Sequence, residues 1–326
     1  MTVTAGQGMV SLFGLDPATY VPHAVHGEER SYSETNCYAD ILIELIHAAG
    51  NEPLAVVGSA VAVDFEHDQW TFFKPQSDEL ELLYGIDIHE MQPYRPIPDQ
   101  TAEQIEEGRT LIVELDSFYL PDVASTAYRR EHVKSSAVME AIDRDGERLH
   151  YFHNGSLYEL SGEDYRNVFR LGREFSPDVL PPYTELVRFD RGPALDGEEL
   201  HDAARTLLCR HLDRLPRTNP FVRFGDGLGR ALPDLLAGDD ADYHAYAFAT
   251  VRMAGAAFEL AASHVEWLYP DTAPGAVDEL QGIVEGCKVL SFKLARRRPF
   301  DPGPQVAELA AGWERAQTRL GDLAPA

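Results

Sequence analysis

Cys37 stands in the run Ser33-Glu34-Thr35-Asn36-Cys37-Tyr38, directly ahead of an apolar pattern with helical spacing. A cysteine in the first turn of a helix sits where unpaired N–H groups and the helix dipole favour the thiolate, the nucleophilic form. Covalent acyl transfer through such a sulfur needs a base and a group that holds the base in one tautomer. His132, in Arg130-Glu131-His132-Val133-Lys134-Ser135 at the start of a strand pattern, supplies the base. His153-Asn154 close the next strand after a turn at 143–146. Adjacent antiparallel strands bring the start of one beside the end of the next, so this hairpin juxtaposes a histidine and an asparagine. Cys37, His132 and Asn154 are the catalytic candidates; the competing reading is an inert thiol with packing histidines.

Other side chains are candidates for binding. Asn36 neighbours the nucleophile, and the backbone N–H of Cys37 with that of Asn36 or Thr35 is the expected oxyanion site. Asp116 and Tyr119, in Asp116-Ser117-Phe118-Tyr119-Leu120 after an apolar strand, are expected to line an acyl or acceptor pocket, as are His153 and Trp70. Aromatic residues on strands are core residues more often than pocket residues, which is the alternative for Trp70. Phe224-Gly225-Asp226-Gly227-Leu228-Gly229 lacks both a preceding strand and a following Lys-Ser/Thr, so it reads as a loop between helices rather than a phosphate loop. Arg252 and Glu259, seven apart on one helical face, read as a buried structural pair. No metal site is expected, because Cys37, Cys209 and Cys287 lie far apart and form no C-x-x-C pair.

The elements that must position these groups follow from periodicity. Ile41, Leu42, Leu45, Ile46 and Ala49 predict a helix over 39–50, ended by Gly50. Strands are expected at 55–58, 69–73, 110–115, 136–141 and 148–152, with short helices at 77–84 and 101–108. After Pro181-Pro182 the chain turns Ala- and Leu-rich, predicting helices at 198–215, 241–269, 276–298 and 305–323. The fold class is therefore α+β, with an N-terminal arm at 1–30, a mixed domain at 31–175, a linker at 176–196 and an α-helical domain at 197–326.

Composition narrows the function. Of 326 residues, 44% are hydrophobic and 25% charged, and no run of eighteen apolar residues could span a membrane. The first residues carry no basic or long apolar stretch of a secretory signal, so a cytoplasmic location is expected. With 28 basic against 54 acidic residues the formal charge is −26, which argues against a generic polyanion binder, DNA included. The one basic cluster is Lys288, Lys293, Arg296, Arg297 and Arg298. It reads either as a docking patch or as a solvated helix end with favourable dipole interactions.

Several longer segments resemble a bacterial family, domain of unknown function 1839. They include Asn36-Cys37-Tyr38, the run from Asp64 to Pro75, Leu83-Tyr84-Gly85-Ile86-Asp87, the run from Asp116 to Asp122 and Tyr151-Phe152-His153-Asn154. His244 to Arg252, Gly255 to Ala261 and Ser291 to Arg296 extend the likeness through the helical half, so it covers nearly the whole chain. That family is similar in its N-terminal half to the butirosin biosynthesis protein H acyltransferase domain and, more remotely, to papain-like double-glycine leader peptidases. The resemblance implies a papain-like fold for the N-terminal domain and a nucleophile at Cys37. It also implies a base at His132 and an orienting residue at Asn154 or His153. Leader peptidases carry a Gln about six residues before the cysteine, where this chain has Ser31. The implied activity is an acyl- or aminoacyltransferase without a bound cofactor. Its donor would be a carrier-protein phosphopantetheine thioester and its acceptor a small amine. Aminoacyl-tRNA is the competing donor. A peptidase or amidase, and an inactive binding module, are the competing functions. The acidic charge disfavours both RNA and acidic carrier proteins, so the Lys288–Arg298 cluster would have to dock either donor.

Overall fold

A computed structural model describes residues 8–33, 35–172 and 179–323. Its strands are β1 (Val10–Ser11), β2 (Phe65–Glu66), β3 (Gln69–Trp70), β4 (Asp87–Met91), β5 (Thr110–Asp116), β6 (Lys134–Asp143), β7 (Arg148–His153), β8 (Ser156–Ser161) and β9 (Thr184–Arg188). Its helices are α1 (Cys37–Ala48), α2 (Ser77–Tyr84), α3 (Ile97–Glu106), α4 (Gly162–Val168), α5 (Gly197–Leu212), α6 (Pro220–Ala237), α7 (Asp240–Ala247), α8 (Met253–Leu268), α9 (Pro274–Ala295) and α10 (Gly303–Leu323). The fold is mixed α and β with a helical C-terminal region. Contacts divide it into a first unit, 1–27, 37–53 and 76–194, and a second unit, 28–36, 54–75 and 195–326.

The first unit is built on an antiparallel sheet in the order β4-β9-β5-β6-β7-β8, with β1 pairing the C-terminal part of β6. Strand alternation gives the sheet two faces. Leu111, Val113, Leu115, Ala137, Met139, Leu149 and Tyr151 bury one face beneath Ile97, Ala102 and Ile105 of α3 and Tyr165 and Val168 of α4. Ile112, Glu114, Asp116, Val138 and Phe152 alternate with these and so face the other way. On that second face lies α1, which packs on β6 and β7. Its Tyr38 hydroxyl reaches Glu185 of β9, the register partner of Ile112, at 2.6 Å. Ile41, Leu42, Leu45 and Ile46 are fully buried, as their helical spacing predicts, and Gly50 turns the chain out at φ +82°.

In the second unit Trp70 packs against Phe65, Phe221, Phe224 and Phe258, with ring centroids 4.8–6.3 Å apart. An i→i+5 segment, Phe248–Arg252, joins α7 to α8. Helices α8, α9 and α10 pack in succession, and α6 packs on α10.

Several expectations need correction. Residues 55–58 are not a strand but part of a 3₁₀-helix, Pro53–Ala62; a short apolar run buried all round carries no period to tell the two apart. Of the strand expected at 69–73 only Gln69–Trp70 pairs, with Phe65–Glu66. The expected linker carries β9, which lies inside the sheet between β4 and β5. Pro181 and Pro182 precede that strand instead of interrupting it. Residues 176–178 of the linker lie outside the described residues. The glycines at 225, 227 and 229 are not in a loop but inside α6, begun by Pro220 and capped by the Asn219 side chain on the Phe221 N–H. A side chain at Gly225 would collide with Val306, and one at Gly227 would crowd the Phe65 ring.

Candidate functional site

Cys37 opens α1, as its sequence context predicts, and is half-buried. The first turn is fixed by Tyr38, whose phenol donates to the buried Glu185 carboxylate. Burial, then the hydrogen bond to Glu185, raises the Tyr38 pKa, so the phenol keeps its proton and acts as donor. The thiol of Cys37 makes no hydrogen bond among the described residues.

His132 precedes β6 and meets the end of β5. Its Nδ1 lies 2.7 Å from Asp116 Oδ2, and its ring stacks on Phe118 with centroids 4.3 Å apart and planes 10° apart. The other oxygen, Asp116 Oδ1, accepts the N–H of Phe118 at 3.1 Å. A carboxylate only accepts, so Nδ1 carries the hydrogen and Nε2 presents its lone pair. No described residue hydrogen-bonds Nε2. The His132 side chain is 64% exposed and that of Asp116 32%. Tyr119 lies edge-on to His132 at 6.3 Å, and the Arg129 guanidinium covers both the Phe118 and Tyr119 rings. Asp116 therefore shares the α1 face of the sheet, four residues along β5 from Ile112, about 13 Å of strand.

Asn154 and His153 lie elsewhere. The hydrogen bond that orients His132 comes from Asp116 rather than from Asn154. Asn154, at φ +49°, and Gly155 form the two-residue turn joining β7 to β8. A side chain at Gly155 would strike the His26 ring. His153 faces the opposite side of the sheet from α1, with Nδ1 2.5 Å from Asp122 Oδ2 and Nε2 2.6 Å from Ser135 Oγ. In the second unit, Asn36 donates through Nδ2 to the Phe73 carbonyl at 2.6 Å, and Trp70 is a core residue. Arg252 and Glu259 do not pair. Glu259 accepts the N–H groups of Ser31 and Tyr32, and Arg252 donates to Ser33 O and Thr35 Oγ1. Of the basic cluster, Lys288 pairs Glu285, Lys293 covers the Phe300 ring, and Arg297 binds Asp240.

The sequence reading missed a buried acidic stripe on α1. Asp40 and Glu44, one turn apart, are bridged by the His26 ring. Glu44 also accepts from Tyr20 Oη at 2.5 Å and His23 N at 3.1 Å. On the neighbouring strand the buried Glu140 accepts from Ser11 Oγ, Phe13 N and Leu15 N. Two buried carboxylates thus pin the N-terminal arm across the sheet. The signal was an i, i+4 acidic pair in an otherwise apolar helix.

Among the described residues no helix is long and apolar enough to cross a membrane, and no three His, Cys, Asp or Glu side chains cluster as metal ligands.

A half that is mixed α and β followed by an all-helical half is the class this architecture defines. The DUF1839 N-terminal domain matches residues 21–189 and the DUF1839 C-terminal domain residues 197–322; the chain belongs to the DUF1839 family. No curated protein matches it.

Proposed function

We propose that this chain is a cysteine-dependent acyltransferase with a papain-like arrangement in its N-terminal half, using Cys37 as nucleophile, His132 as base and Asp116 as orienting group. The observation that carries the reading is the His132–Asp116 pair, 2.7 Å apart with Nε2 unengaged, on the sheet face that holds the helix headed by Cys37. Nε2 takes the thiol proton as the sulfur attacks the donor carbonyl; the C–S bond of a donor thioester then breaks, and its thiol leaves with the proton from Nε2. An amine attacks the acyl-enzyme by the reverse sequence, giving an amide and restoring the thiol. The donor in this reading is an acyl or aminoacyl group on carrier-protein phosphopantetheine, with aminoacyl-tRNA as the competing donor.

The test is intact mass after incubation with aminoacylated carrier protein. An adduct on Cys37, absent in Cys37→Ala and discharged faster by amines than by water, is expected. An unchanged adduct in Cys37→Ala rejects the nucleophile, and discharge by water alone points to a hydrolase. Cross-linking with 1,3-dibromoacetone, whose three-carbon span demands close approach, should join Cys37 to His132; no such linked peptide would reject the pairing.

A further inference from the structure

On the face away from α1, His153 is the centre of a directed chain of hydrogen bonds. Its ring is 1% exposed and the Asp122 side chain 2%. The Tyr151 phenol donates to Asp122 Oδ1. Burial first, then the adjacent Asp122 charge, holds the Tyr151 pKa well above its ordinary value, so that proton stays on the phenol. The carboxylate can only accept, so Nδ1 of His153 donates to Oδ2 at 2.5 Å. In the neutral ring Nε2 is then an acceptor, and the only donor it meets is the Ser135 hydroxyl at 2.6 Å. Each link fixes the direction of the next, from the hydroxyl of Ser135 through the imidazole to Asp122. Ser135 itself is half-buried, so its hydroxyl lies at the rim while its base is sealed in.

We propose that Ser135, with His153 and Asp122, is a second nucleophilic centre, reactive toward activated carboxylic and phosphonic esters. The spacing meets the geometric requirement for a serine nucleophile, a base in contact with the hydroxyl and a carboxylate fixing the base's tautomer. With an ester, Oγ bonds to the carbonyl carbon as Nε2 takes its proton. The C–O bond to the alcohol then breaks, and the alcohol leaves with that proton. Water, deprotonated by the same nitrogen, releases the acid and regenerates the hydroxyl. With a fluorophosphonate the O–P bond forms, the P–F bond breaks, and the adduct is stable. This centre does not depend on Cys37.

The test uses the full chain carrying Cys37→Ala and an alkyl fluorophosphonate, followed by intact mass and peptide mapping. One phosphonyl group is expected on Ser135, in preference to every other serine, abolished by Ser135→Ala and by prior unfolding in urea. Asp122→Asn should slow labelling at least tenfold while leaving the adduct site unchanged. No adduct at Ser135 in the folded protein overturns the proposal, as does labelling that persists at the same rate in urea. In either case the chain of hydrogen bonds only ties β6 to β7.

Discussion

Replacing Asp116 by Asn should damage acyl transfer more than replacing it by Ala. Asp116 Oδ1 accepts the Phe118 N–H at 3.1 Å while Oδ2 faces His132 Nδ1. An Asn retains that cap bond only with its carbonyl oxygen toward Phe118, which turns its NH₂ group to His132. Nδ1 must then accept, its hydrogen moves to Nε2, and the nitrogen facing the substrate can no longer act as a base. In Asp116→Ala the ring loses one partner but keeps its stacking on Phe118 and its choice of tautomer. The electrostatic part is small for a pair this exposed, about 1 kcal/mol or roughly fivefold in rate. Inverting the tautomer costs far more, on the order of 10²- to 10⁴-fold by analogy with carboxylate-to-amide changes at other triads. Single-turnover acylation of Cys37 by a simple acyl thioester, followed by quench and mass spectrometry, reads all three proteins. A rate in Asp116→Ala equal to or below that of Asp116→Asn would refute the reasoning. So would an Asn154→Ala defect larger than either.

Tyr38→Phe leaves the buried Glu185 carboxylate with Tyr183 Oη as a remaining donor at 3.0 Å, and should destabilise the first unit by about 1–3 kcal/mol; an unshifted urea midpoint would show that this tie carries no stability. Asp87 is buried, which alone would raise its pKa, but hydrogen bonds from Arg191 and Arg188 outweigh burial and hold it below the usual carboxylate range. The folded chain therefore binds this proton less readily than the unfolded chain, and the stabilisation is present above about pH 4 and lost as pH falls through the folded pKa. Asp87→Asn should be clearly less stable than wild type at pH 7, with the gap closing below about pH 4; a gap that widens in acid contradicts the assignment. Burial pushes the Cys287 thiol up to about 12, so iodoacetamide at pH 8 should modify Cys37 and Cys209 in the native protein and reach Cys287 only after unfolding.

Much of the scaffold was legible because its period is strong. The pattern of Ile41, Leu42, Leu45 and Ile46, the hairpin around residues 143–148 and the short helix Ser77–Tyr84 all formed where spacing and stop residues placed them. What escaped was set by tertiary context. β9 follows two prolines and gains its identity from neighbours distant in sequence, while the glycines of α6 are tolerated because Val306 and Phe65 approach too closely for larger residues. At the candidate site, Cys37 and His132 were legible from their positions at element ends. The orienting group was not. Asp116 owes its role to the point where β5 stops opposite Lys134, a matter of register. Asn154 drew attention as a polar residue after a strand, when Asn-Gly between two strands was itself a turn signal.

The way the second unit is assembled sets a limit on dissection. Residues 54–75 lie inside the stretch matched by the N-terminal family model, yet Phe65 and Trp70 complete a core with Phe221, Phe224 and Phe258. A chain ended at the boundary between the two family regions would strand those rings, each worth about 150–250 Å² of surface. The reciprocal fragment would open its own aromatic core to water. In heredity as in the laboratory, the two halves are therefore not interchangeable cassettes: recombination at residue 190 separates segments that fold only together.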